Sequence, residues 1–160
     1  MFEIVERYGQ KALVTRKAHR AGQDICAIPV ESVHSRPDRL TVQIRSDLHA
    51  RIGPLLEAMN HACVPNCEID VVTMSLRALR DLREGEEMTF FYPSTEWEMA
   101  SPFHCHCGSA HCLGVIQGAR WLEEKDWRGR SAPHIAYLRR EHAKKGILES
   151  LYQMDDGAVA

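Results

Sequence analysis

Hydrophobic and polar positions follow the period of short β-strands from the N-terminus to Pro93. Residues 40–45 alternate apolar and polar side chains with period two, which predicts a half-buried strand. Residues 88–92 are strongly apolar and end before Pro93, which predicts a strand that stops at the proline. The same reasoning predicts strands at 11–15, 24–30, 68–72 and 75–80, turns at 20–23 and 83–86, and a polar loop at 31–39.

The last forty residues change to a helical pattern. Residues 119–127 form one predicted helical segment and residues 133–145 form another, with Ser131 in the cap region and Gly146 as the stop. Residues 54–59 predict a single helical turn, because they begin with a proline at the first helical position. The fold class indicated by all these elements is mostly β with short helices.

Length and charge limit the possible roles of the chain. It has 160 residues, which is typical of one domain, and a formal net charge of −2, which argues against direct nucleic-acid binding. No apolar run reaches the roughly 18 residues that cross a bilayer, and the N-terminus lacks an export signal. We therefore expect no membrane partner and a cytoplasmic location, or a nuclear one in a eukaryote. The oligomeric state is left open.

Three cysteines lie close together at Cys105, Cys107 and Cys112, in the spacing C-x-C-x4-C. Structural zinc takes four ligands in a tetrahedron, so a fourth ligand must come from elsewhere, and Cys63 and Cys67 are the upstream candidates. Free or disulfide-bonded cysteines are the alternative. C-x-C is poor geometry for a disulfide, and nothing in the sequence indicates an oxidising compartment. The spacing therefore favours a zinc site.

Three motifs follow one another in a defined order. They are N-H-A-C-V-P-N at 60–66, G-E-E-M-T-F-F-Y at 85–92, and the cysteine loop that ends C-L-G at 112–114. Together they resemble the SET-domain protein lysine methyltransferases that carry a zinc-binding post-SET segment. The resemblance covers about residues 8–118 and implies a minimal member without a pre-SET segment, built of small curved sheets with a knot-like crossing. It implies a SET domain at 1–100, a post-SET zinc loop at 101–118 and a C-terminal helical extension at 119–160.

The resemblance also implies an activity, the transfer of a methyl group from S-adenosylmethionine to a lysine or similar amine of a protein, peptide or small molecule. Tyr92 matches the catalytic tyrosine of the family. Phe90 matches a position that lines the lysine channel, where a phenyl ring leaves room for more than one methyl group. The implied cofactor-binding residues are Asn60, His61, Gly9 and Ile116. The implied zinc ligands are Cys63, which is preferred to Cys67, and Cys105, Cys107 and Cys112.

Several positions depart from the family pattern. Gly9 is followed two residues later by Lys11 in place of a second glycine, which puts a cation near the expected sulfonium. Glu57 replaces a frequent arginine, and Phe91 stands where an acidic or amide residue is common. Residues 31–54 are too short for the usual wall of a peptide groove, so histone-tail recognition is not supported. Two alternatives therefore stay open: a SET-like fold recruited to other chemistry in a small-molecule pathway, and a catalytically silent zinc-ordered interaction module.

Overall fold

The fold of this protein, a computed structural model, is described for residues 1–7, 9–127, 130 and 132–155. Within these ranges, twelve short strands form five small sheets, which confirms the mostly-β prediction. The strands are β1 Phe2–Arg7, β2 Gln10–Thr15, β3 Asp24–Ala27, β4 Ser32–His34, β5 Thr41–Arg45, β6 Leu48–Arg51, β7 Asn60–His61, β8 Cys67–Asp70, β9 Ser75–Ala78, β10 Thr89–Phe90, β11 Phe103–His104 and β12 Val115–Ile116. The helices are α1 Pro54–Glu57, α2 Glu124–Trp127 and α3 Ala132–Asp155.

Most strand pairs are antiparallel. Strands β1 and β2 form a hairpin, β11 pairs with β12, and two three-stranded sheets have the orders β3-β9-β8 and β4-β6-β5. Strands β7 and β10 pair in parallel instead, which places Asn60 beside Thr89 and His61 beside Phe90. This parallel pair joins two of the three sequence motifs and positions the candidate site.

The strand predicted at 40–45 forms as β5, but it is buried on both faces. Thr41, Val42 and Gln43 are all buried. The side chain of Gln43 accepts a hydrogen bond from the Trp97 backbone N–H at 2.8 Å, and its amide lies 2.7 Å from the ring of His142. Gln43 is therefore buried although it is polar, because Trp97 and His142, later in the chain, supply its hydrogen-bond partners.

Three parts of the strand prediction need correction. The strand predicted at 24–30 ends at Ala27 as β3. Regular strand within 88–92 is limited to Thr89–Phe90, and Tyr92–Ser94 is a 3₁₀ turn, because Pro93 lacks an N–H and cannot continue the ladder. The predicted loop at 31–39 contains β4, which pairs with β6, a strand that was not predicted. Such short strands depend on partners distant in sequence, so local periodicity does not reveal them.

The helical predictions also need correction. Residues 119–127 contain a 3₁₀ turn at Ala119–Trp121 and the separate helix α2 rather than one helix. Helix α3 continues through Gly146 to Asp155, because one glycine in a helix costs only about 1 kcal/mol relative to alanine. The predicted cap, Ser131, lies outside the described residues. None of the helices in the described ranges has the length and apolar character that a membrane crossing requires.

The hydrophobic core has a main part between the sheets and a second part under α3. In the second part, Phe91, Ala119, Ile135 and Leu138 are completely buried and pack together. Burial of Phe91 here explains why an apolar residue stands between Phe90 and Tyr92. Helix α3 thus supports the segment that carries the candidate catalytic tyrosine.

Polar contacts fix the same helix against the sheets. The hydroxyl of Tyr137 donates a hydrogen bond to the carbonyl of Ile44 at 2.7 Å. The ring of His142 stacks on Trp97, with centroids 4.4 Å apart. The buried His134 ring lies 3.5 Å from a carboxylate oxygen of Glu68. The first half of α3 is therefore an integral part of the fold.

We expect Leu138→Ala to lower the free energy of unfolding by about 2–5 kcal/mol, because it leaves a cavity beside Phe91. Urea denaturation of both proteins measures this difference. The matched control is Ile147→Ala on the same helix, where the side chain is 62% exposed and the loss should be below about 1 kcal/mol. Equal stability of the Leu138→Ala protein and the wild type would contradict the docking of α3.

Candidate functional site

Four cysteines form a compact cluster. The Sγ atoms of Cys63, Cys105, Cys107 and Cys112 all lie within 4.8 Å of one another. The Cys63 and Cys105 sulfurs are 3.8 Å apart, which matches the separation of about 3.8 Å that Zn–S bonds of about 2.3 Å give in a tetrahedron. The cluster therefore fits a structural zinc ion held by four thiolates, and the four residues are those that the family resemblance implied.

Nearby N–H groups favour thiolates at Cys63 and Cys107, burial raises the pKa of the Cys63 and Cys105 thiols, and position separates Cys67 from the cluster. The backbone N–H of Leu113 lies 3.4 Å from the Cys63 sulfur and donates to it. Burial raises the pKa of Cys107, but backbone hydrogen bonds from Ser109 and Cys63 outweigh it and lower that pKa to about 7. Cys67 lies outside the cluster, and burial raises its pKa to about 12. Cys67 is therefore a buried core residue rather than a ligand.

A cavity of about 880 Å³ lies next to the cluster. Its lining comes from separate parts of the chain: the β1–β2 hairpin, residues 38–42, the end of α1 and β7, the Phe90–Tyr92 region, and residues 99–107 of the cysteine segment. Its volume is within the range of about 300–1,000 Å³ that is typical of small-molecule and cofactor sites. The cysteine cluster thus fixes one wall of a site large enough for a cofactor.

Tyr92 lines this cavity with its hydroxyl fixed. The hydroxyl donates a hydrogen bond to the carbonyl of Met59 at 2.8 Å. Aromatic rings surround it, with the Phe90 centroid at 4.7 Å and the Phe103 centroid at 6.0 Å. Burial raises the pKa of Tyr92 to about 12, although the charge of Arg39 opposes the shift. The phenol is therefore neutral near pH 7 and acts as a hydrogen-bonding group, not as a base.

His61 connects Tyr92 with the cysteine cluster. The backbone N–H of Tyr92 donates to Nδ1 of His61 at 3.3 Å, and Nε2 lies 3.4 Å from the Cys63 sulfur. Burial, assisted by the charge of Arg130, lowers the pKa of His61 to about 4. A neutral ring that accepts at Nδ1 carries its proton on Nε2, so it donates toward Cys63. Such contacts to a ligand atom orient metal sites in proteins.

Asn60 joins the hairpin to the strand before Tyr92. Its amide donates to the carbonyl of Lys11 and to a carboxylate oxygen of Glu87, both at 2.9 Å. Glu87 also lies 3.7 Å from the guanidinium of Arg7. Arg7, Lys11, Asn60 and Glu87 all line the cavity, so one part of its wall carries two cations and one carboxylate.

Gly9 and Ile116 are not among the described residues that line the cavity. Gly9 occupies the hairpin turn with φ +75°, a conformation that glycine adopts readily, and its neighbours Arg7, Gln10 and Lys11 reach the cavity. Ile116 is 1% exposed and packs against Cys63 and Cys105. The cofactor-binding roles of both residues therefore stay predictions.

Comparison with known proteins identifies the family. The family model of the SET domain matches residues 4–93, which is more than half of the chain. This chain belongs to the SET domain family. The match includes Asn60, His61 and Tyr92 and ends before the cysteine loop.

Two curated relatives are similar to parts of this SET domain. Methyltransferase flvH of Aspergillus flavus is 46% identical over 85 residues, which cover 52% of this chain and 48% of that protein. The H3 lysine-36 specific histone-lysine N-methyltransferase of Schizosaccharomyces pombe is 31% identical over 123 residues, which cover 61% of this chain and 14% of that protein. The chain thus spans about half the length of the first relative and a small part of the second.

A solved structure shares the fold. The crystal structure of KRYPTONITE in complex with mCHG DNA and SAH superposes with a TM-score of 0.58 at 17% identity. The superposition covers 71% of this chain and 28% of that chain. The likeness confirms that the small sheets of this SET domain have the architecture of the family.

Some lining residues of this SET domain were not predicted from the sequence. Arg7, Arg39, Glu96 and Phe103 all line the cavity. Glu96 follows Pro93 in the stretch S-T-E-W, which has no periodicity or ligand spacing to indicate a site. Tertiary contacts of this stretch, among them the hydrogen bond from the Gln43 N–H to the Thr95 carbonyl at 2.7 Å, bring Glu96 to the cavity.

We expect one zinc ion per chain in the purified protein, measured by metal analysis after dialysis. Cys107→Ser should lose the zinc and expose residues 103–113 to proteolysis, because structural zinc contributes on the order of 10 kcal/mol to local folding. The matched control is Cys67→Ser, which should retain the zinc, since that sulfur lies outside the cluster. Equal zinc loss in both variants, or none in either, would contradict the four-cysteine assignment.

Proposed function

We propose that this SET domain is an S-adenosylmethionine-dependent N-methyltransferase that acts on a lysine or similar amine and carries a structural zinc. The observation that carries the proposal is the convergence of Asn60, His61 and Tyr92 on one cavity beside four clustered cysteines. The two relatives, a methyltransferase and a histone-lysine N-methyltransferase, support the reaction class. The superposed crystal structure is a complex with SAH, which supports the choice of cofactor.

The chemistry requires a neutral amine aligned with a methyl group. S-adenosylmethionine, when bound, supplies that methyl group on a positively charged sulfur. The apolar rings of Phe90, Phe103 and Tyr92 form a desolvated channel, and desolvation lowers the pKa of an amine. The neutral Tyr92 hydroxyl orients the amine and the methyl by hydrogen bonding and weak C–H···O contact. Tyr92 is thus a positioning group and removes no proton.

The wall formed by the hairpin and β7 suits the polar end of the cofactor. Arg7 and Lys11 provide cations for the carboxylate of the methionyl group, and Glu87 provides an acceptor for its ammonium. Asn60 holds Glu87 in place through its amide. Lys11, which replaces the second glycine of the family pattern, thus has a function in this arrangement. Its ammonium pairs with the methionyl carboxylate of the cofactor and does not repel the sulfonium.

Phe90 defines how many methyl groups are added. Its ring is buried and lies 4.7 Å from the Tyr92 ring, with no hydroxyl to hold a water molecule. A phenyl face there accommodates a methylated ammonium by cation–π attraction. We therefore expect products that carry more than one methyl group.

The three chain segments have separate tasks in this proposal. Residues 1–100 carry the cavity and Tyr92, and residues 101–118 close it through the zinc site. In the segment 119–160, the described residues Ala119, Ile135 and Leu138 pack against Phe91. The short wall at 38–42 leaves the acceptor class open among protein, peptide and small amine, and the cytoplasmic location stays a prediction.

Calorimetric titration of the zinc-loaded protein with S-adenosylmethionine tests the cofactor assignment. We expect saturable binding, and its absence at millimolar cofactor would exclude the proposal. Incubation with methyl-labelled cofactor and, in separate reactions, free lysine, a one-lysine peptide and a protein extract then tests transfer. Binding without transfer to any acceptor would favour the catalytically silent interaction module.

We expect Tyr92→Phe to reduce methyl transfer at least about 100-fold while leaving the affinity for the cofactor within a factor of a few. The reason is that the variant keeps the ring and loses the hydroxyl that orients the amine. Initial rates with labelled cofactor measure the first effect and calorimetry measures the second.

The matched control is Tyr137→Phe, which also removes a hydroxyl that donates to a backbone carbonyl but lies outside the cavity lining. This variant should keep the wild-type rate. A Tyr92→Phe protein as active as the control would rule out the assigned role of the hydroxyl.

A further inference from the structure

Glu96 is a buried carboxyl on the cavity wall without an assigned role. The residue is 7% exposed and lines the cavity, and its Oε2 atom has no hydrogen-bond partner. No ion pair to Glu96 occurs among the described residues. An unpaired carboxylate in such a place costs several kcal/mol, so native proteins rarely keep one without a reason.

The backbone around Glu96 is firmly held. Its carbonyl accepts a hydrogen bond from the N–H of Ala119 at 2.8 Å, and the next residue, Trp97, donates to the side chain of Gln43 at 2.8 Å. On the preceding side, Thr95 forms backbone hydrogen bonds with Tyr92 and β5. The carboxyl is therefore presented to the cavity by a fixed segment one turn beyond Tyr92.

Other carboxylates of the same cavity already have partners. Glu87 accepts from Asn60 and lies near Arg7. Glu57 lies 2.9 Å from the guanidinium of Arg51. Glu96 shares no hydrogen bond or ion pair with either group in the described part of the chain. Asp38 accepts a hydrogen bond from the Leu40 backbone N–H at 2.6 Å. Glu96 is thus the lining carboxyl that, within the described residues, lacks both a hydrogen bond and an ion pair.

The electrostatic surroundings identify the missing partner as a cation. Burial raises the pKa of Glu96 well above its usual value, and the nearby charge of Asp38 raises it further. Asp38 is exposed at the same lining, beside Arg39, and the phenol of Tyr92 is neutral. A cation that entered would pair with Glu96 and offset the repulsion from Asp38, whereas an anion near Glu96 would be repelled by both carboxyls, with Arg39 as the neighbouring cation on the lining.

We propose that Glu96 is the substrate-specificity residue of this site and binds the protonated alkylamine that accepts the methyl group. This inference rests on the proposed methyltransferase function. When the ammonium binds, Glu96 releases its own proton to solvent, and the ammonium N–H groups donate to the resulting carboxylate. When one proton passes from nitrogen to that carboxylate, the electron pair stays on nitrogen, and the neutral amine that methyl transfer requires results.

The test compares two probes that differ only in the amine. Nα-acetyl-L-lysine methylamide carries one alkylamine, and Nα-acetyl-L-norleucine methylamide ends in a methyl group instead. Calorimetry with and without S-adenosylhomocysteine gives the affinity of each probe. We expect the wild type to prefer the lysine probe, and Glu96→Gln to reduce that preference about 10- to 100-fold, as loss of a charged hydrogen-bond partner does.

Two further variants make the test specific. Glu96→Met replaces the carboxyl with an apolar group of similar length and should reverse the preference toward the norleucine probe. Glu98→Gln is the matched control, because Glu98 is exposed, pairs with Arg120 and does not line the cavity. It should keep the wild-type preference, and a merely structural Glu96 would not change the ratio between the two probes.

Folding of Glu96→Gln is checked by its melting temperature. Because the folded protein holds the Glu96 proton at a pH where the unfolded carboxyl has lost it, the wild type loses stability as the pH rises above the ordinary carboxyl pKa. Glutamine does not ionise. The melting temperature of the variant should therefore exceed that of the wild type by more at pH 8 than at pH 5.

The outcomes separate this inference from the proposed function. If the wild type binds S-adenosylhomocysteine but the Glu96→Gln and Glu96→Met variants keep its preference for the lysine probe, the Glu96 assignment is wrong and the methyltransferase proposal stands. If the cofactor does not bind while the preference is lost in both variants, Glu96 binds the amine and the methyltransferase proposal fails. A wild type without preference for the lysine probe also overturns the Glu96 assignment.

Discussion

The site depends on the approach of four cysteine sulfurs from two distant parts of the chain. Cys63 follows β7, while Cys105, Cys107 and Cys112 belong to the loop between β11 and the start of β12, and all four sulfurs lie within 4.8 Å. Four sulfurs this close fit the ligand set of a structural zinc ion, which would hold them as thiolates. The cysteine cluster, together with the β11–β12 pair, holds residues 103–107 at the cavity beside Tyr92.

His61 connects the cysteine cluster to Tyr92, the candidate catalytic residue. Its ring lies between the Cys63 sulfur and the backbone N–H of Tyr92, and it contacts the rings of Phe91 and Phe103. Phe91 in turn is packed against α3. The cysteine cluster, the segment that carries Tyr92 and, through Phe91, helix α3 are therefore linked through one imidazole.

The cavity lining carries two chemically different groups of residues. Under the proposed function, one group would bind the cofactor and the other the amine. Asn60, Lys11 and Glu87 form a hydrogen-bonded group with both charges represented, which suits the zwitterionic methionyl end of a cofactor. The wall that carries Glu96 offers a buried carboxyl with the exposed Asp38 nearby, and under the inference above it binds an alkylammonium. Tyr92 lines the same cavity with a neutral hydroxyl, which neither group ionises.

The local sequence predicts the strands at 11–15, 40–45, 68–72 and 75–80 and the three cysteines of the zinc loop. The family resemblance adds Cys63, Asn60, His61 and Tyr92. These features are local, because alternation, ligand spacing and short motifs each involve only a few neighbouring residues. The continuation of α3 through Gly146 follows from the small cost of one glycine in a helix. Long-range contacts set the pairing of β4 with β6, the docking of the first half of α3 and the presence of Glu96 at the cavity. Each of these depends on residues distant in sequence, and burial of a carboxyl is a property of its neighbours in space that no local pattern encodes.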